Sequence, residues 1–248
     1  MRSAARRLRE ALRRYGLLGT LRLVGHTLAS MIEERSPARR REWQRQLEFD
    51  TKYGIDTAIK VAATELRVPD PGSKAALHAV GYQPTGVSAL HQILQAIPLD
   101  FANWTFVDIG AGKGRALLVG SHYPFRRIVG VELSPHLVEI ARRNLATYRD
   151  PAQRCRALEC VCGDASRYRL PDEGNVLLYL YNPFGEPIMR RFLGTIQEAA
   201  ASARNRQIWI AYANPTLKEM FESAAFLAAV PNPIGLALYR VVADGAAQ

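Results

Sequence analysis

The chain has 248 residues, of which 48% are hydrophobic and 23% charged, near the average for soluble globular proteins. This length accommodates one large domain, or a domain with an appendage, and the composition excludes a disordered chain, a collagen-like fibre and a disulfide-stapled miniprotein. The formal charge is +10, yet residues 1–45 carry twelve Arg and four Glu, while residues 46–248 carry 21 Lys and Arg against 19 Asp and Glu. The basicity therefore belongs to an arm rather than to the bulk of the chain.

The arm comes first. Leu8, Leu12 and Tyr15 recur at helical spacing between arginines, and Leu17, Leu18, Leu21, Val24 and Leu28 continue a second amphipathic pattern. Ser36-Pro37 breaks it, and Arg39 to Leu47 starts a third. Residues 1–49 thus read as a basic helical extension. It either packs on the main domain with a solvated Arg face or offers residues 1–45 to an anionic surface, membrane or nucleic acid. The longest apolar stretch, Leu17 to Ile32, is broken by Arg22 and His26 and is too short and polar to span a bilayer. No secretory signal is read at the Arg-rich start. Cys155, Cys160 and Cys162 form no disulfide framework and lack metal-ligand spacing, so they read as free thiols with no metal. The expected location is the cytoplasm, peripheral to a membrane if the arm binds lipid.

Residues 50–248 read as the second domain. Asp50 to Thr57 looks like a loop turning at Gly54, and Pro69 to Ser73 is a turn cluster. Tyr82 to Gly86 is another turn, with Thr85 as N-cap of a helix from Val87 to Ile97. Strands are expected at Trp104–Ile109, Arg127–Leu133, Ala157–Cys162, Val176–Tyr181 and Gln207–Ala213. Helices fall between them at Gly114–His122, Ser134 to about Tyr148, and Pro187–Ala201. After the helix Leu217–Ser223, two last strands, Phe226–Val230 and Leu236–Val242, are joined by Pro231 to Gly235, too short a link for a crossover. Alternation of this kind predicts a Rossmann-like doubly wound α/β sheet with a terminal antiparallel hairpin.

The densest signal is Phe106-Val107-Asp108-Ile109-Gly110-Ala111-Gly112-Lys113-Gly114-Arg115. Glycines there permit tight turns and close approach of a ligand to the main chain, and the following helix offers free N–H groups. A P-loop would need Ser or Thr after Lys113, where Gly114 stands. A nicotinamide fingerprint would need Gly or Ala at Arg115. What remains, acid-x-G-x-G-x-G, suits S-adenosylmethionine. Glu132 ends the second strand and can accept both ribose hydroxyls. Asp164, after the third strand, can receive the adenine amino group, or can simply cap a turn. Asp108 orders the loop and faces the positive end of the methionyl moiety.

The segments FVDIGAGKGR, GVELS, CGDA and YNPF, in this order, resemble class I (seven-β-strand) S-adenosylmethionine-dependent methyltransferases, over about Tyr82 to Val242. DTKYGIDT, YQPT, DIGAGKGR and YLYNPFG look like a bacterial branch of that class that resembles seven-strand protein-lysine methyltransferases. The resemblance implies the sheet order 3-2-1-4-5-7-6 with a reversed last strand. It implies a cofactor site of Tyr82, Thr85, Asp108, Gly110, Ala111, Gly112, Gly114, Glu132, Leu133, Asp164, Ala165 and Asn182. Asn182-Pro183-Phe184 is similar to the [DN]-P-P-[YF] turn of amino-methyltransferases with one Pro fewer, so either Asn182 takes the amide position or Tyr181 falls there.

On this reading the protein transfers a methyl group by in-line displacement to an amine acceptor, a protein lysine favoured. Asn182 and backbone carbonyls aim the nitrogen lone pair, and Phe184 is an apolar wall. A lysine must first lose a proton, for which Tyr53, Tyr179 and Glu186 are the candidate bases. The alternatives are a nucleic-acid or small-molecule methyltransferase and a non-catalytic scaffold.

Overall fold

The structure is a computed structural model that describes residues 36–171, 174–202 and 206–242. The first two amphipathic patterns of the arm lie outside the described residues. Contacts divide the chain into two units, meeting between Glu48 and Phe49. Helix α1, Pro37–Tyr53, crosses that point. Ser36 accepts the Arg39 N–H at 3.2 Å, so Ser36-Pro37 starts this helix as well as ending the pattern before it. The helix continues four residues into the segment expected to be a loop, and the chain turns only at Gly54, whose φ is +64°.

Seven strands form one sheet: β1 (Trp104–Ile109), β2 (Arg127–Glu132), β3 (Leu158–Cys162), β4 (Asn175–Tyr181), β5 (Ile208–Ala213), β6 (Leu227–Ala229) and β7 (Ala237–Val241). Their order is β3-β2-β1-β4-β5-β7-β6, with β7 antiparallel to both neighbours. This is the Rossmann-like methyltransferase architecture that the resemblance implies. The helices around it are α2 (Lys74–Leu77), α3 (Val87–Ala96), α4 (Arg115–Gly120), α5 (Pro135–Thr147), α6 (Glu186–Ser202) and α7 (Lys218–Glu222).

Side chains alternate across a strand, so each central strand feeds two cores. Phe106, Ile128 and Leu177 pack toward α3, α4 and α5. Val107, Val129 and Leu178 pack toward α6 and α7. That explains why β1 and β4 are apolar runs rather than alternating ones. Asn232 closes the last hairpin: its carboxamide bonds the Val230 and Leu236 carbonyls and the Leu236 N–H.

Residues 57–85, where only turns were expected, form a flap containing α2, which Ser73 caps through the Ala76 N–H. The flap pairs with itself at Val61 and Tyr82 and with the turn after β4 at Ala79 and Phe184. It also accepts the Ser134 hydroxyl at the Arg67 carbonyl, 2.8 Å. It therefore lies over the carboxyl ends of β2 and β4. Thr85 does not cap α3. Gly86 takes that position, and the Thr85 hydroxyl meets the Tyr179 hydroxyl at 2.7 Å inside the core.

Away from these strand ends, the His91 and His122 rings meet at a tilt, 5.4 Å between centroids. His91 bonds Tyr123 and His122 bonds Tyr148. Burial lowers both imidazole pKa values. The unfolded chain then takes up these protons first, so the pair costs stability as pH falls below about 6.5. Replacing both histidines by Gln should flatten the pH 7 to pH 5 decline in urea-unfolding free energy relative to the natural chain. An unchanged difference between the two chains would contradict this.

Candidate functional site

Three strand ends build the cleft. β1 runs out at Ile109 into Gly110, Gly112 and Gly114, all left-handed, at φ +82°, +53° and +84°. Two of these glycines have steric reasons beyond φ. A Cβ on Gly110 would sit 2.9 Å from the Pro183 Cβ, and one on Gly112 would run into the Tyr82 ring. The loop thus touches both the flap and the turn after β4 through bare backbone.

β2 supplies Glu132, 8% exposed. One carboxylate oxygen accepts the Gly112 N–H and the other the Ser134 N–H, each at 2.9 Å. Burial raises its pKa against these N–H bonds. Each oxygen keeps a second lone pair. After β3, Asp164 accepts the Ser166 N–H and hydroxyl with one oxygen, the turn-capping arrangement that was weighed against an adenine contact. Its other oxygen lies 3.7 Å from Arg167 and 3.6 Å from Arg191.

Glu132, Leu133, Asp164, Ala165, Gly110, Tyr82, Asn182, Pro183 and Phe184 line one continuous cleft of about 880 Å³, open solvent included. A smaller recess beside it is lined by Thr85, Asp108, Ala111 and Tyr179. Gly112 and Gly114 face neither lining and instead support the loop's contacts with the flap and α5.

Asp108 is 4% exposed. Among the described residues none donates a hydrogen bond to its carboxylate or pairs with it. Burial, and then the negative Glu132, push its pKa up to about 8. A buried acid with no ion-pair partner, at the wall of a recess that Arg115 also lines, is a group whose raised pKa marks a candidate site for a bound cation.

The turn after β4 carries Asn182 at φ +47°, tolerable for Asn. Phe184 lines the cleft, but the residue is 8% exposed and its ring meets the Phe192 ring edge-on at 5.8 Å, so much of it belongs to the core under α6. The candidate bases are already engaged. Tyr53 donates to Asp150, Glu186 pairs with Arg190 at 2.7 Å, and burial pushes the Tyr179 hydroxyl, shared with Thr85, far above its ordinary pKa.

The sequence reading missed a second set of residues. Asp50, 8% exposed, accepts the Thr57 and Ala58 N–H groups at 2.5 and 2.6 Å, the Thr57 hydroxyl at 2.6 Å and the Arg115 guanidinium at 3.0 Å. Arg115 Nε donates to Thr57 at 2.7 Å. Lys113 pairs with Asp56 at 2.7 Å, and Asn144 bonds the Asp56 and Lys113 carbonyls. The Lys and Arg of the glycine loop therefore grip DTKYGIDT, at the root of the flap. Both segments were visible as motifs, but no spacing shows that two segments about sixty residues apart touch.

Residues 107–180 match the family model described as a methyltransferase domain. Over this span the chain is similar to methyltransferase domains. The matched span runs from β1 to the end of β4, so it holds the glycine loop, Glu132 and Asp164. Similar solved structures include an RNA methyltransferase from Salinibacter ruber in complex with S-adenosyl-L-homocysteine, 20% identical, covering 64% of this chain and 92% of that one, TM-score 0.41. A glycopeptide N-methyltransferase, MtfA, complexed with S-adenosyl-L-methionine is 18% identical, covering 64% and 67%, TM-score 0.39. A methyltransferase from Geobacter sulfurreducens in complex with S-adenosyl-L-homocysteine is 17% identical, covering 58% and 64%, TM-score 0.39. No curated protein matches the chain. Among the described residues no His, Cys, Asp or Glu cluster could hold a metal ion, and no helix is long and apolar enough to cross a membrane.

Proposed function

We propose that the methyltransferase domain binds S-adenosylmethionine in this cleft and transfers its methyl group to an amine acceptor, a protein lysine side chain foremost. The observation that carries the reading is the convergence on one cleft of a left-handed glycine turn, a buried strand-end carboxylate and an Asn-Pro turn, beside a buried acid with no ion-pair partner. The residues fit the cofactor. The spare lone pairs of Glu132 suit two ribose hydroxyls, Leu133 and Ala165 offer apolar faces to a purine, and Asp164 keeps an oxygen for its amino group. Asp108, with Tyr82 and Thr85, suits the methionyl ammonium end. When bound, the cofactor supplies a methyl group made electrophilic by a sulfonium.

The chain's own residues would then orient the acceptor. The Asn182 carboxamide and nearby carbonyls take amine hydrogens, which turns the nitrogen lone pair inward; positioning of this kind contributes roughly 7–11 kcal/mol in favourable cases. Pro183, against Gly110, ties that turn to the glycine loop. The second reading, a nucleic-acid acceptor, is favoured by Lys74, Arg167 and Arg191, which line a groove beyond Asp164.

Lysate incubated with the protein and tritiated-methyl cofactor should carry label in the protein fraction, stable to ribonuclease. Label in RNA would favour the second reading. Absence of label together with no cofactor binding by the folded chain would leave only a scaffold. Once an acceptor is labelled, Asn182→Ala should lower turnover about tenfold with cofactor affinity unchanged, since a hydrogen bond used in orientation contributes about 1.4 kcal/mol. Full turnover would remove Asn182 from the mechanism.

A further inference from the structure

The turn after β4 has a twin that the sequence reading passed over. β4 ends in Tyr181-Asn182-Pro183 and β5 in Ala213-Asn214-Pro215. The strands are parallel neighbours with Tyr181 opposite Ala213, so the two Asn-Pro turns leave the sheet side by side. Both Asn residues are left-handed, at φ +47° and +48°. Two such residues at matching places, each in a conformation that disfavours most side chains, make a paired feature rather than a chance turn.

The second turn is firmly held. Tyr212 is fully buried and packs against Phe221 at 4.8 Å. Its hydroxyl accepts the Leu217 N–H at 3.3 Å. The Thr216 N–H donates to the Asn214 carbonyl at 3.0 Å. From this base the Thr216 hydroxyl donates to Asn182 Oδ1. That bond reaches from the β5 turn into the β4 turn, and it falls on the side chain to which the proposed function gives the acceptor amine.

We infer that Thr216 is a positioning residue, and that the Asn214-Pro215-Thr216 turn is the support that fixes the Asn182 carboxamide for the amine. An amide on a short side chain rotates about χ2 over a broad range when nothing holds it. The Thr216 hydroxyl occupies one lone pair of Oδ1 and sets the plane of the group. The second lone pair, in that plane, is left for one amine hydrogen. The acceptor this fits is a nitrogen that carries at least one hydrogen when it meets the site. The inference rests on the proposed reading of Asn182.

The test needs no acceptor. Sinefungin carries an amine on the carbon that replaces the sulfonium and its methyl group; S-adenosylhomocysteine lacks it. Dissociation constants of both would be measured by calorimetry for the natural chain, Thr216→Val, Thr216→Ser and Asn182→Ala. Thr216 is exposed, so these changes leave the core alone.

Thr216→Val should weaken sinefungin about three- to tenfold, the range for one lost hydrogen bond, and leave S-adenosylhomocysteine within about twofold. Thr216→Ser should restore most of the difference. Asn214→Gly, which keeps the left-handed turn, should bind both ligands as the natural chain does, whereas Asn214→Ala should behave like Thr216→Val. If Thr216→Val weakens both ligands equally, or neither, the positioning role is overturned. If Asn182→Ala also fails to separate the ligands, the role of Asn182 falls with it. If the natural chain binds neither, the cofactor reading is what has failed.

Discussion

Replacing Arg115 by Ala is expected to lower the unfolding free energy by about 3–5 kcal/mol, the range for breaking a buried ion pair from one side. Arg115 is 1% exposed. Removing it strips Asp50 of its cation and Thr57 of a donor, and leaves a carboxylate buried with only two N–H groups and a hydroxyl around it. The guanidinium also stands over the Phe49 ring at 5.5 Å, a cation–π attraction that the alanine cannot make. Asp50→Asn should destabilise as well, because one oxygen that accepts two bonds becomes an NH2 group and the buried Arg115 loses its partner charge. The double variant should fall short of the sum, since the two groups share one interaction. Urea unfolding measures all three. A loss below about 1 kcal/mol for Arg115→Ala would mean that the pair is spectator geometry. At temperatures where the variant stays folded, its affinity for S-adenosylhomocysteine should drop too, because the flap loses its root while Glu132 and the glycines remain.

That network marks where sequence reading stops. β1 was legible from Trp104 to Ile109 because an apolar run ends in glycine, and both ends agree with the structure. The terminal hairpin was legible because Pro231 to Gly235 cannot cross a sheet. Glu132 was legible because its offset from the glycine loop is fixed by one βαβ unit. α1 was cut short because Gly54 announces a turn and Asp50 is an ordinary loop residue. Its burial depends on Arg115, which local propensity cannot see. Thr85 looked like an N-cap for the same reason: the hydroxyl is correct for a cap, but a tyrosine from β4 competes for it. Thr216 carried no signal at all. Its role exists only because β4 and β5 are neighbours. In each case the local pattern set the element, and a contact of long sequence separation decided what the side chain does.

The acid at the end of β1 leads to a second large effect. With its pKa near 8, Asp108 is mostly protonated at pH 7 in the free protein. A methionyl ammonium in the adjoining recess favours the carboxylate, so cofactor binding at pH 7 should expel a proton from this site. Calorimetry in buffers of different ionisation enthalpy reads that release directly. The sign fixes the affinity profile. Only the ionised acid welcomes the ligand, so the dissociation constant should weaken by about tenfold per unit as pH falls below 8, roughly a hundredfold by pH 6.

The free protein runs the other way. A carboxyl group whose pKa is raised on folding contributes stability at low pH and loses it as pH climbs toward 8. The melting-temperature gain on adding S-adenosylmethionine should therefore grow across the same interval. Asp108→Asn should bind more weakly at pH 8, release no proton from this site and show a flat profile. A slope that survives in this variant would assign the proton to Glu132, the other raised carboxyl group in the cleft. Binding to the natural chain without buffer dependence would mean that no cation is received beside Asp108.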